Sequence, residues 1–396
     1  MSFNQYQDIK VVHFEVSSKC NALCPQCARS VFGSKVNPNL NQKDLKLNEV
    51  KKILPPQFVA QLNMLYFNGN YGDPATATEL IPIIEYLREC NPKIAISVHS
   101  NGGIRSQEWW AKLATLLRGP NMWVHFGIDG LEDTNHLYRV NVKWKKVMEN
   151  VKAFVENGGN AIWDYIVFRH NEHQVEQARE FSNKIGFKKF LIKKTGRFAV
   201  NSVGDYVVRG HPVYDSKGDF SHLLEAPTKE EYLNTALKQD EVQEVDLEGL
   251  SHAKLDTSLE KNDHLVRKVS EFFEDESIKA INNCDVDCHV KKEKSVYIDF
   301  NGKVFPCCWL AWPYYSFWKE TESSQVREIV DTLGGYDLLD AQRFSIKEVS
   351  EGPFFNHVKR GFNKSNSLDR MVACSKTCGT CHNHLSEERG QNIGQN

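Results

Sequence analysis

Three cysteines within eight residues, in the segment SSKCNALCPQCARS (17–30), constrain this sequence more than any other feature. Their spacing, Cys20-x3-Cys24-x2-Cys27, follows a short apolar run, KVVHFEVS (10–17), that is typical of a strand. Parallel α/β folds bind ligands beyond the carboxyl ends of their strands, and a loop at that place can bring three thiolates to one point. A structural zinc ion or a fully ligated iron–sulfur cluster takes four ligands, so three thiolates leave one coordination position open.

Length and composition favour metal or redox chemistry over a disulfide framework for these cysteines. The chain has 396 residues, of which 41% are hydrophobic and 25% charged, as in ordinary globular proteins. The N-terminal segment MSFNQYQDIK lacks a signal-peptide apolar region, and no run of eighteen apolar residues occurs. We therefore expect a cytoplasmic protein whose clustered cysteines bind metal. The net charge of −2 gives no reason to expect nucleic acid or a membrane as a partner.

Apolar runs alternate with helix-like segments over residues 1–225 and predict an α/β fold with a parallel sheet. After the first run, five more occur at 63–70, 93–103, 121–130, 161–171 and 188–196. Such alternation implies right-handed crossovers between parallel strands. The pattern fits an open or partial barrel, and it also fits a doubly wound sheet.

The C-terminal part of the chain has a different character. Residues 226–283 are rich in charged side chains and predict a solvated, partly helical linker. Residues 284–382 are rich in cysteine and aromatic residues, and Asn301-Gly302 between the runs SVYIDF and KVFPCC predicts a β-hairpin. Residues 383–396 are polar and predict a disordered tail.

The three-cysteine loop after a first strand resembles the radical S-adenosylmethionine (SAM) superfamily. The resemblance implies a partial (β/α)6 TIM-like barrel over residues 1–225 and a [4Fe–4S] cluster held by Cys20, Cys24 and Cys27. It also implies that SAM binds the open iron and is reductively cleaved to a 5′-deoxyadenosyl radical, which abstracts a hydrogen atom from the substrate. Gln26 stands where the family often has an aromatic residue near the adenine.

Short segments after three later strands strengthen this resemblance. Tyr71-Gly72-Asp73-Pro74 is similar to the family's Gly-Gly-Glu-Pro element, and Ser100-Asn101-Gly102 to its Thr-Asn-Gly element. Ile128-Asp129-Gly130 with the later Arg139 resembles a run of the peptide-modifying branch, although Gly127 replaces a frequent serine. The resemblance implies that five residues surround SAM: Gly72, Asp73, Asn101, Asp129 and Arg139. The residues alone also fit β-turns at the first two segments and a surface salt bridge at Arg139.

The second cysteine group begins Cys288-x13-Gly302-x4-Cys307 and ends Cys378-x2-Cys381. This pattern resembles the SPASM/twitch auxiliary domain of many radical SAM enzymes. The resemblance implies that Cys288, Cys307, Cys378 and Cys381 hold an auxiliary [4Fe–4S] cluster. Three further cysteines are alternative ligands, ligands of a second cluster or packing residues: Cys284, Cys308 and Cys374. Structural zinc is the alternative for the whole group.

These features predict a radical SAM oxidoreductase or peptide-modifying enzyme. Family analogy ranks a peptide or protein side chain first as the substrate and a sugar or small alcohol second. The resemblance also implies an external one-electron reductant of the flavodoxin or ferredoxin type, and the sequence identifies no catalytic residue. The alternative function is that of a non-catalytic zinc- or SAM-binding protein.

Overall fold

A computed structural model describes residues 5–198, 210–234, 285–316, 321–362 and 370–380. Most of the predicted linker and the whole predicted tail therefore lie outside the described residues. The chain divides into two compact units. The first contains residues 5–19, 39–98 and the described residues from 285 to 380, and the second contains residues 20–38 and the described residues from 99 to 234.

The six strands predicted for the first part of the chain are present, and each is shorter than the apolar run that predicted it. The strands in chain order are β1 (Val11–Phe14), β2 (Ser30–Val31), β3 (Lys35–Val36), β4 (Met64–Phe67), β5 (Ala95–Ser100), β6 (Met122–Gly127), β7 (Ala161–Ile166), β8 (Lys189–Lys193), β9 (Gly210–Tyr214), β10 (Phe220–Glu225), β11 (Ser295–Ile298) and β12 (Val304–Phe305). The predicted strands correspond to β1 and to β4 through β8.

Helices follow these strands, as the alternating pattern predicts. They are α1 (Leu47–Ile53), α2 (Pro56–Ala60), α3 (Leu80–Cys90), α4 (Gln107–Leu116), α5 (Asn135–Tyr138), α6 (Trp144–Glu156), α7 (Val175–Ile185), α8 (His289–Glu293), α9 (Cys308–Ala311), α10 (Thr321–Thr332), α11 (Ile346–Ser350), α12 (Pro353–Arg360) and α13 (Val372–Cys378). In the described part of the chain, none of these helices has the length and apolarity needed to cross a bilayer.

The sheet of the first unit has the strand order β12-β11-β1-β4-β5. In β1, Val12 and Phe14 are fully buried, as expected for a strand flanked on both sides. It pairs in parallel with β4, Val11 opposite Met64, and also with β11, Val11 opposite Ser295. β11 and β12 form the predicted hairpin, in which Gly302 has a φ of +80°. The hairpin therefore extends the parallel sheet of β1.

The second unit contains the parallel strands β6, β7 and β8 and the helices α4, α6 and α7. α6 buries Val147, Val151 and Phe154, which share one face because they recur at helical spacing. The helix α4 begins at the predicted N-cap, where the hydroxyl of Ser106 accepts a hydrogen bond from the N–H of Trp109 at 3.3 Å. These helices and strands share an aromatic core. An α/β fold with parallel strands is thereby confirmed.

Candidate metal centre

The three-cysteine loop lies at the start of the second unit, which begins at Cys20. The N–H of Cys27 donates to the carbonyl of Cys24 at 3.0 Å, which turns the loop back on itself. Cys24 is buried, whereas Cys20 and Cys27 are partly exposed. Among the described cysteines, none is joined in a disulfide. Cys27 interacts electrostatically with Cys24, and Cys20 and Cys27 both interact with Arg29.

Hydrogen-bond donors point at two of these sulfurs. The amide Nδ2 of Asn101 lies 3.6 Å from Cys20 Sγ, and the backbone N–H of Ala22 lies 3.3 Å from the same atom. The guanidinium Nη1 of Arg139 lies 3.7 Å from Cys24 Sγ. Burial raises the pKa of the Cys24 thiol to about 11, and Arg139 opposes this rise. Donors around thiolates stabilise their negative charge, as metal ligation requires.

A buried ion pair holds Arg139 in place. Its Nε donates to Asp129 Oδ2 at 2.6 Å, and Asp129 Oδ1 accepts the N–H of Ile166 at 2.6 Å. Asp129 is fully buried. Burial raises the pKa of Asp129, whereas the charge of Asp129 raises the pKa of Arg139. We take the pair as ionised, because both carboxylate oxygens accept hydrogen bonds and arginine stays protonated in proteins. The surface salt bridge considered for Arg139 is therefore wrong.

Gly127 gives the guanidinium of Arg139 its space. A Cβ on Gly127 would lie 2.4 Å from Arg139 Nη2, closer than real Cβ atoms approach other atoms. A serine at this position would displace the guanidinium from Cys24. The glycine that departs from the family pattern is thus explained by the position of Arg139 in this chain.

Gly72 and Asp73 form a tight turn in the first unit. A Cβ on Gly72 would lie 2.0 Å from the carbonyl oxygen of Ser17, so only glycine fits this approach of two backbones. The carboxylate of Asp73 accepts the N–H of Ala75 at 2.9 Å and caps a single 3-10 turn, and its N–H donates to the carbonyl of Lys19 at 2.8 Å. The turn expected as an alternative is present, and contact of either residue with SAM stays a prediction.

Glu15, a residue that sequence reasoning passed over, supports this turn. Its carboxyl is fully buried and accepts the N–H of Tyr71 at 2.5 Å and the hydroxyl of Tyr297 in β11. Burial raises the pKa of Glu15 to about 8. Glu15 thus links the turn before Gly72 to the C-terminal hairpin within the first unit. An acidic residue inside the predicted apolar run 10–17 is the signal that could have identified it.

Gln26, between the second and third cysteines, has an unsatisfied amide. The residue is 8% exposed, and neither Nε2 nor Oε1 has a hydrogen-bond partner among the described residues. A buried polar group without a partner is costly and is often explained by a ligand. This amide, the three thiols and the donors aimed at them fit an iron–sulfur cluster with a polar organic ligand beside it.

The second cysteine group lies in the first unit. The N–H of Asp287, before Cys288, donates to the carbonyl of Cys378 at 2.7 Å. Burial raises the pKa of Cys307, and the charges of Cys308, Cys374 and Cys288 raise it further. Burial also raises the pKa of Cys374, and the charges of Cys288 and Cys378 raise it further. Cys284 and Cys381 lie outside the described residues. Cys374, an alternative ligand in the sequence analysis, therefore interacts electrostatically with three of the predicted ligands: Cys288, Cys307 and Cys378.

A parallel α/β unit with donors arranged around a three-cysteine loop has the features expected of a metal-binding α/β protein. The family model of the Radical SAM superfamily matches residues 14–182. The resemblance seen in the sequence is therefore confirmed over residues 14–182. Members of the superfamily are enzymes that use a [4Fe–4S] cluster and SAM, and the match supports radical SAM chemistry with both cofactors here.

The fold is similar to that of SuiB from Streptococcus suis, with a TM-score of 0.50 at 12% identity over 92% of this chain and 72% of SuiB. The expected partial-barrel α/β class with a smaller cysteine-rich C-terminal region is thereby confirmed. Two further structures are less similar: anSMEcpe with bound AdoMet (TM-score 0.48, 14% identity, 93% of this chain and 86% of that one) and BtrN with AdoMet and 2-DOIA (TM-score 0.38, 11% identity, 93% of this chain and 92% of that one). No curated protein matches the sequence significantly.

Proposed function

We propose that this protein is a radical SAM enzyme in which Cys20, Cys24 and Cys27 hold the catalytic [4Fe–4S] cluster. The observation that carries the proposal is the pair of donors, Asn101 and Arg139, that point at Cys20 Sγ and Cys24 Sγ. When bound, the cluster and SAM supply a 5′-deoxyadenosyl radical that abstracts a hydrogen atom from the substrate.

The residues of this chain have distinct tasks in the proposed site. Asn101 and Arg139 stabilise thiolate charge on Cys20 and Cys24. Asp129 acts through Arg139 and is a positioning residue, because its carboxylate orients the guanidinium. Gly72 and Asp73 are proposed to contact SAM through backbone groups, since the Asp73 carboxylate already caps its own turn.

A peptide or protein side chain is the proposed substrate, and a sugar or small alcohol is the second choice. SuiB has been solved with its precursor peptide SuiA. That likeness concerns the fold, so the substrate class rests on analogy.

The proposed radical SAM chemistry is tested by anaerobic reconstitution, iron analysis and measurement of 5′-deoxyadenosine after reduction with dithionite. Iron without any 5′-deoxyadenosine would leave a protein that binds SAM without cleaving it, and zinc without iron would favour the non-catalytic alternative.

Replacing Gln26, whose amide is unsatisfied, is expected to increase stability and to weaken SAM binding. Gln26→Met is expected to raise the free energy of unfolding of the SAM-free protein by about 1–3 kcal/mol, because it removes a buried polar group without a partner. If the amide pairs with bound SAM, the same change weakens SAM binding about tenfold, measured by calorimetry. Gln174→Met is the matched control: Gln174 is also buried, but its amide bonds Asp133 and Thr134, so this change is expected to destabilise the protein. Unchanged SAM binding in Gln26→Met would contradict the pairing.

We further propose an auxiliary [4Fe–4S] cluster held by Cys288, Cys307, Cys374 and Cys378. Cys374 and Cys378 are four residues apart in α13 and therefore lie on one face of it. The helix α9, which begins directly after Cys307, packs against α13. The resemblance instead gives this fourth position to Cys381, which lies outside the described residues.

The choice between Cys374 and Cys381 is tested by counting iron. Cys374→Ser is expected to lower the iron content of the reconstituted protein from about eight to about four per chain, because a [4Fe–4S] cluster normally needs four thiolates. Cys381→Ser is expected to keep about eight irons. The reverse result would contradict the proposal and favour the ligand set that the sequence pattern implies.

A further inference from the structure

Four polar side chains of the second unit meet on the neighbouring strands β5 to β8. His99 is in β5, His125 in β6, Asp164 in β7 and Lys193 in β8. The side chain of Asp164 is 9% exposed, whereas those of His99, His125 and Lys193 are 17–24% exposed. The carboxylate is therefore the deepest group, and the imidazoles and the ammonium lie between it and the solvent side.

The geometry does not suit a metal ion. One atom from each of His99, His125 and Asp164 lies within 4.8 Å of the others, a spacing that alone is compatible with a cation. The two rings, however, stack face to face with centroids 4.1 Å apart and planes 12° apart. An ion about 2.0–2.1 Å from one nitrogen, in the plane of its ring, would lie well outside the plane of the other ring. The Lys193 ammonium also pairs with Asp164 Oδ2 at 2.7 Å.

Hydrogen bonding instead sets the tautomer of His125. Its Nδ1 lies 3.2 Å from both carboxylate oxygens of Asp164. Burial alone would raise the pKa of Asp164, but Lys193, His125 and His99 hold it well below its ordinary value, so the carboxylate is ionised and only accepts. Nδ1 of His125 therefore carries a proton, and in the neutral ring Nε2 is the acceptor, as in other carboxylate–imidazole pairs.

The face of β6 that carries His125 leads to the cysteine loop. Residues 122, 124 and 126 are buried, and the alternate residues 123, 125 and 127 share the opposite, more open face. His125 is two residues before Gly127, about 7 Å along the strand. Gly127 packs against the guanidinium of Arg139, which contacts Cys24. A group bound at His125 would therefore lie about 7 Å along the strand from the residue that packs against Arg139.

The charges of the cluster select the kind of substrate group. Asp164 is paired with Lys193 and His125, and the ammonium repels a cation. The lone pair of His125 Nε2 repels a carboxylate or phosphate oxygen. A neutral donor, a hydroxyl or a carboxamide, suits both groups, because it donates to Nε2 without opposing the charge of Lys193.

We propose that His125, oriented by Asp164, is a substrate-binding residue that accepts a hydrogen bond from a neutral hydroxyl or carboxamide group of the substrate. This inference rests on the proposed function, because it places the substrate beside the radical SAM site.

The tautomer is tested first, without turnover. In the reconstituted protein labelled with ¹⁵N-histidine, the resonances of His125 are assigned by their loss in His125→Phe. We expect them to show a protonated Nδ1 and an unprotonated Nε2. Asp164→Asn, whose amide can donate to Nδ1, is expected to reverse this pattern. A protonated Nε2 in the unmodified protein would overturn the proposal.

The class of substrate group is tested with peptides Gly-Gly-X-Gly-Gly and with glucose, using the rate of 5′-deoxyadenosine formation from SAM under dithionite. We expect the peptides in which X is Ser or Asn to raise this rate at least about tenfold above the peptides in which X is Ala, Asp or Lys. If the substrate is a sugar, glucose is expected to give the same increase. His125→Phe is expected to abolish the difference, and the same change at the exposed His173 is expected to keep it.

The outcomes separate the two proposals. Equal rates with all probes, or a preference for Asp or Lys, would overturn the role of His125 while 5′-deoxyadenosine still forms. No 5′-deoxyadenosine under any condition would instead contradict the proposed function.

Discussion

Replacing Cys24 by alanine is expected to abolish the reductive cleavage of SAM. Cys24 is the buried member of the three-cysteine loop, and Arg139 points at its sulfur. Two thiolates cannot hold a [4Fe–4S] cluster that normally has three or four protein ligands, so the iron of this loop is lost as well. Formation of 5′-deoxyadenosine after reduction with dithionite measures the first effect, and iron analysis measures the second.

The matched control is Cys90→Ser, at the C-terminal end of α3 and outside both cysteine groups. This variant is expected to keep the iron content and the cleavage rate. Cys24→Ala is also expected to keep the iron bound by the C-terminal cysteines, because those cysteines belong to the other compact unit. Complete loss of iron in Cys24→Ala would contradict the independence of the two metal sites.

Removing one partner of the Asp129–Arg139 pair is expected to have the largest effect on stability. Asp129→Ala leaves a guanidinium without its carboxylate and should lower the free energy of unfolding by about 3–5 kcal/mol. It also frees Arg139 from the position in which it meets Cys24 Sγ. Urea unfolding of the anaerobic protein measures the change as a shift of the midpoint at constant slope.

An exposed pair of the same length provides the control. Arg169 and Glu225 also lie 2.6 Å apart, but their side chains are 57% and 41% exposed. Glu225→Gln is expected to change the free energy of unfolding by no more than about 1 kcal/mol, because water screens and replaces the interaction. Equal effects of the two substitutions on the free energy of unfolding would contradict the importance of burial for the Asp129–Arg139 pair.

The strands could be predicted from the sequence because each is a short apolar run between turn residues. β1 and β4 through β8 lie inside the predicted runs, and α4 begins at the predicted N-cap Ser106. The pairing of β11 with β1 could not be predicted, since it joins residues almost 300 positions apart and leaves no local pattern. The Asn-Gly turn predicts the hairpin but not the strand to which it binds.

The sequence places several candidate site residues directly after strands, and their contact with SAM stays a prediction. The cysteine loop, Asn101 and Arg139 all follow strands, and the structure brings their polar atoms together. The partnership of Arg139 with Asp129 depends on the fold of the segment between them, so the sequence left a surface salt bridge open.

Other groups could be found only in three dimensions. His99 and His125 occupy single positions in apolar strands, where an isolated histidine is usually structural. Their stacking, and the carboxylate of Asp164 beneath them, become visible only when the strands lie side by side. The proposed role of Cys374 likewise depends on the packing of α13 against α9.

The central claim is that three thiolates leave one iron of the cluster open and that SAM binds there. The most direct test is electron–nuclear double resonance of the reduced cluster with SAM labelled with ¹⁵N at its amino group. We predict a ¹⁵N coupling that appears with SAM and is lost in Cys24→Ala. A spectrum of the reduced cluster that SAM leaves unchanged would contradict the claim.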